Sequence, residues 1–152
     1  MLGVILSALH VLALALGLGA VVARGRGLKR VGAGDLGAVQ GVLTADGLWG
    51  LAAGLWAATG LLRAFGGIEK SPDFYLNNGF FWLKMALFGL ILLLEVYPMV
   101  TLIGWRMALK RGAPIDTRSV ARLVRLNDLE IVLVVFIPFV AAAMARGLWL
   151  FA

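Results

Sequence analysis

Four residues carry polar chemistry where the surrounding sequence is apolar: His10, Asp46, Lys84 and Glu95. Lys84 and Glu95 both lie in the run Gly79–Trp105, eleven residues apart. Eleven residues is close to three helical turns, so the two charges share one side of a helix. A charge in the middle of a bilayer is costly and normally faces a protein interior or a wet cavity. His10 occurs in an apolar run with Gly3, Ser7, Leu14 and Gly17 at helical spacing along the same side. A neutral imidazole beside glycines suits an axial bond to haem iron, and Gly3 and Gly17 leave room for a flat macrocycle. An amine and carboxylates on facing helices are also the usual marks of a proton or ion pathway, here Lys84–Glu95–Asp46.

Composition narrows the classes. The chain has 152 residues, 62% hydrophobic and only 14% charged, too apolar for a soluble domain. Without cysteine it builds no disulfide, iron–sulfur cluster or thiolate metal site. One histidine excludes a multi-histidine metal centre within a chain, and the five methionines are scattered as core filler rather than clustered as copper ligands. The net charge of +6 reflects membrane topology, not nucleic-acid binding.

The elements that must position these residues are four apolar helices, expected at about 1–24, 40–64, 78–106 and 125–150, in one transmembrane domain spanning residues 1–152. Positive charge follows the first run instead of preceding it, which favours a retained helix over a signal peptide. Gly25–Leu36 reads as a short polar connection. Gly50 and Gly54 form a small-xxx-small pair on the second helix. Ala64–Asn78 holds turn formers and, with Phe80, Phe81 and Trp82, an interfacial aromatic belt. Four Lys/Arg follow the first run, Arg24, Arg26, Lys29 and Arg30, and six lie in Arg106–Arg125, whereas the second connection offsets Arg63 and Lys70 with Glu69 and Asp73. The positive-inside rule then makes the chain an all-α, up-down-up-down four-helix bundle with both termini on the outer, periplasmic side of a bacterial inner membrane.

Helical rise places His10 about 14 Å and Lys84 about 8 Å below the outer surface. They define an outer polar layer with Ser7 and Arg63. Asp46, Glu95, Asp128 and Glu130 populate an inner one. Simpler readings stand beside these: His10 as a packing residue, Lys84 snorkelling outward, Asp128 and Glu130 solvated or paired with Arg122 and Arg125, and Asp128 as a helix cap.

Several segments bear a resemblance to known families. His10 in Ser7-Ala-Leu-His10, Lys84 in Phe81-Trp-Leu-Lys84-Met and the Arg125-Leu-Asn127-Asp128 entry to the last helix resemble the HemJ-type protoporphyrinogen oxidases and the related CopD-like four-helix membrane proteins. More closely, Ala45-Asp46-Gly-Leu-Trp49-Gly, Phe80-Phe-Trp-Leu-Lys84-Met and Leu94-Glu95-Val-Tyr-Pro98-Met-Val-Thr resemble a bacterial family of four-helix membrane proteins without an assigned activity. The HemJ resemblance implies haem b and a redox reaction on a porphyrin. His10 would be the axial metal ligand, and Ser7, Lys84 and Arg63 would be further cofactor-binding residues. Lys84, Glu95 and Asp46 are the candidate catalytic and proton-relay groups. A quinone is the other expected small-molecule partner. The rival classes are an accessory or assembly subunit, dimeric or docked in a larger membrane complex, and a CopD-like ion or copper transporter.

Overall fold

The computed structural model describes residues 1–68 and 70–150. Glu69, which the charge count assigns to the second connection, lies outside them. Helix α1 runs over Leu2–Gly32, and a single 3₁₀ turn at Leu36–Ala38 leads into α2, Val39–Phe65. The short α3, Pro72–Leu76, precedes α4, Gly79–Lys110, and α5, Val120–Ala145. Of these, α1, α4, α5 and α2 with its leading turn are long and apolar enough to cross a membrane. The described chain is almost wholly helical, as the apolar runs predict.

The helices are longer than the apolar runs at the basic end of the bundle. Gly25–Leu36 is not a loop: α1 continues to Gly32, and Arg24 lies inside it. The glycines that suggest a break serve close packing instead. A Cβ at Gly25 would stand 2.5 Å from the Asn127 amide nitrogen, and one at Gly27 would stand 2.7 Å from a Val42 methyl. Helix α5 likewise starts five residues early, at Val120. Asp128 is therefore in its third turn and caps nothing; exposed, it pairs with Lys29 at 3.0 Å. Helix α4 has a true cap, since the Asn78 carboxamide oxygen accepts from the amides of Phe80 and Phe81. Pro98 and Pro138 sit within α4 and α5 without ending them.

The interior is layered. At the basic end Leu28, Val42, Leu102, Trp105 and Leu123 form one apolar cluster. A second, with Ala13, Ala20, Trp49, Trp56, Ile91 and Ile137, fills the middle, and Tyr75, Phe81 and Met144 close the other end. Polar groups gather in the two gaps between these layers. Outward-facing leucines, valines and phenylalanines, among them Leu12, Leu51, Leu93, Val100 and Phe139, are exposed all around the bundle. A continuous apolar surface of this extent calls for lipid, not water.

Candidate functional site

The gap between the middle and far layers is a cavity of about 480 Å³, lined from α1, α2, α4 and α5. His10, Lys84 and Arg63 all border it. His10 reaches it from α1 because Gly60, opposite on α2, has no side chain: a Cβ there would meet the imidazole Cε1 at 3.1 Å. The imidazole Nδ1 lies 2.9 Å from the Thr59 hydroxyl. That hydroxyl also stands 2.7 Å from the Leu55 carbonyl and 3.2 Å from the Trp56 carbonyl, both acceptors for its one proton. In the tautomer protonated at Nδ1, the imidazole then donates to Thr59. The Trp56 ring lies 5.7 Å from the His10 ring and meets Phe88 edge-on at 5.6 Å. Its indole Nε1 is buried and has no hydrogen-bond acceptor among the described residues.

Lys84 enters the same cavity from α4. Among the described residues it makes no hydrogen bond or ion pair, and its charged neighbour is the Arg63 guanidinium, which is of like sign. Two cations and an indole donor thus face a largely aromatic and aliphatic wall. Ser7 is not part of the lining. Nor does Gly17 open room beside His10, because Trp49 fills that space, with a Cβ-to-ring distance of 3.1 Å.

The second gap is organised by Arg24, which the sequence reading places at the last position of the first helix and counts only among the basic residues of the inner side. Arg24 is fully buried, and each of its five N–H groups has an acceptor. Nε donates to the Asn127 carboxamide oxygen at 2.8 Å. Nη1 donates to Asp46 at 3.0 Å and to Glu95 at 2.7 Å. Nη2 donates to Glu95 at 3.0 Å and to Glu130. The Trp49 indole adds a bond to Glu95 at 3.1 Å, and Arg106 donates to Asp46 at 2.7 Å and to the Leu43 carbonyl at 2.9 Å. Asn127 completes the set by donating to the Val21 carbonyl at 3.1 Å.

Asp46 and Glu95 do meet, as expected of an inner polar layer, but their shared partner is Arg24 rather than Lys84. Glu130 is neither solvated nor paired with Arg122 or Arg125; its side chain is fully buried against Arg24. Arg122 lies over the Tyr97 ring instead, 4.1 Å from its centroid. One signal for Arg24 was available. It lies fourteen residues after His10, close to four turns, and so shares the inward face of α1. Thr59 and Asn127 carried no comparable signal.

The two polar layers do not connect. His10 and Arg24 are about 21 Å apart along α1, and Lys84 and Glu95 about 16 Å apart along α4. Trp49, Trp56, Ile91, Val134 and Ile137 fill the space between them. A static Lys84–Glu95–Asp46 relay is therefore absent among the described residues. At the surface of the basic end, Asp116 is held down to about 2 by the hydrogen bonds and charge of Arg118. The Asp116 carbonyl also accepts from the Trp105 indole at 3.0 Å, tying the last connection to α4.

Comparison with known proteins adds a family. A family model described as "Predicted membrane protein (DUF2214)" matches residues 2–148. No curated protein and no solved structure matches the chain.

Proposed function

The chain belongs to that family of predicted membrane proteins, and for it we propose that the cavity beside His10 binds haem b, giving a multi-pass membrane protein with a redox role. The observation that supports this reading is the convergence of His10, Lys84 and Arg63 on one apolar cavity of about 480 Å³. Such a volume falls within the roughly 300–1,000 Å³ usual for cofactor sites. The donor set suits the group. The Thr59 hydroxyl at 2.9 Å from Nδ1 is the kind of outer partner that orients an iron-ligating imidazole. Lys84 and Arg63 match carboxylate side chains on a flat apolar body, and the buried Trp56 N–H offers one more donor. Haem supplies one-electron redox chemistry when bound.

The protein's part is orientation and exclusion. Thr59 orients the His10 ring, Trp56 and Phe88 wall the cavity, and an apolar layer separates it from the Arg24 cluster. Oxidation of a porphyrinogen is the reaction that the HemJ resemblance implies, with Lys84 among the candidate catalytic residues lining the cavity. The distribution of basic residues favours an up-down-up-down chain with both termini outside, and the family resemblance implies a bacterial inner membrane. Against the copper-transport reading stands the donor inventory: no group of three or more His, Cys, Asp or Glu able to hold a metal occurs among the described residues.

Absorption spectroscopy of the purified protein after addition of haemin tests the proposal. A stoichiometric Soret band that disappears in His10→Ala and weakens in Lys84→Ala is expected. A colourless wild-type protein that takes up no haemin leaves the accessory-subunit reading in its place.

A further inference from the structure

The Arg24 cluster sets two guanidinium groups, Arg24 and Arg106, against three carboxyl groups, Asp46, Glu95 and Glu130. Fully ionised, it would carry one net negative charge within an apolar bundle, where isolated charge is strongly disfavoured. Two further observations locate that excess. The Glu130 side chain is fully buried, and its Oε1 has no hydrogen-bond partner among the described residues. Its Oε2 and the Oε2 of Glu95 both accept from the same Arg24 nitrogen, Nη2. Two carboxylates gathered on one nitrogen repel each other, and a proton held between them removes both the repulsion and the net charge.

We infer that Glu95 and Glu130 share one exchangeable proton, making the Arg24 cluster a single-proton store at the basic end of the bundle. The charges facing this pair come from every neighbouring helix: Arg24 on α1, Asp46 on α2 and Arg106 on α4, with the neutral Asn127 on α5. Access is one-sided. A groove of about 270 Å³ at the basic end is lined by Gln40, Thr44, Arg106 and Lys110. The Arg106 side chain, 36% exposed, links that groove to Asp46, and Glu95 is itself 18% exposed. On the opposite side the Trp49, Trp56 and Ile91 layer separates the pair from the His10 cavity. The proton therefore exchanges with water at the basic end and does not pass to Lys84. None of this depends on what fills the outer cavity.

Infrared difference spectroscopy of the full chain in lipid nanodiscs tests the inference. At neutral pH the wild type should show a carbonyl band from one protonated carboxyl group per chain, shifting in D₂O. Glu130→Gln and Glu95→Gln should each abolish it, because either substitution leaves two carboxylates against two guanidinium groups. Glu130→Gln, which mimics the protonated form, should melt within a few degrees of wild type. Should it fail to fold, the partly exposed Glu95→Gln gives the same spectroscopic readout. A wild type without the band overturns the inference, as does a band that survives both substitutions. So does a melting temperature that depends on sodium with no such band, which would mean that a cation neutralises the cluster.

Discussion

The two polar layers of this bundle solve the problem of charge in an apolar interior in opposite ways. Around Arg24 every donor N–H meets an acceptor, and four helices contribute side chains to one compact network. Around the His10 cavity, His10 bonds Thr59, while the Lys84 amine and the Trp56 indole N–H have no hydrogen-bond partner among the described residues. A saturated network holds helices in register and leaves only protons to move. A cationic, apolar-walled cavity is complementary to something anionic and largely hydrophobic. That contrast is the basis for proposing structure and proton storage for one layer and ligand binding for the other.

The contrast breaks most visibly at Arg24. Replacing it with glutamine leaves three carboxyl groups without their central cation, and removing one partner of a buried ion pair costs about 3–5 kcal/mol. Arg24→Gln should therefore unfold at much lower temperature than wild type in detergent, whether or not a ligand is present. Next in size is Gly25→Ala. Its methyl would displace the Asn127 amide that Arg24 and Val21 both engage, at an overpacking cost of about 1–3 kcal/mol. Gly54→Ala on α2, where a Cβ meets nothing within 4 Å, is the control and should leave the melting temperature almost unchanged. Smaller than the Gly25→Ala effect on stability, but the most selective for binding, is that of Thr59→Val. It keeps the fold but frees the imidazole ring, and loss of such an orienting partner typically weakens metal ligation about 10–100-fold. A haemin titration of the variant measures it.

Much of the fold was legible because the four apolar runs are long and the basic residues are clustered between them. The shared orientation of Lys84 and Glu95 followed from helical spacing alone, and both do face inward. What escaped was the centre of the inner layer. An arginine followed by Gly25, Arg26 and Gly27 has the composition of a cytoplasmic loop, and only the approach of Asn127 and Val42 shows why those glycines belong inside a helix. Helix ends were similarly misjudged where polar residues continue a helix beyond its apolar stretch, as in α5. Its first turns carry Arg122, Arg125 and Asn127. Without a tertiary partner in view, Glu130 read as an interfacial carboxylate. The Thr59 contact to His10 spans 49 residues of sequence and has no local pattern to announce it.

Thermal unfolding with and without added haemin tests the division of roles most directly. The account predicts that haemin raises the melting temperature of wild type and of Glu130→Gln by similar amounts and leaves His10→Ala unmoved, since a ligand at about 100 times its Kd adds about 2.7 kcal/mol to the folded state. No rise in the wild type, or an equal rise in His10→Ala, would contradict it.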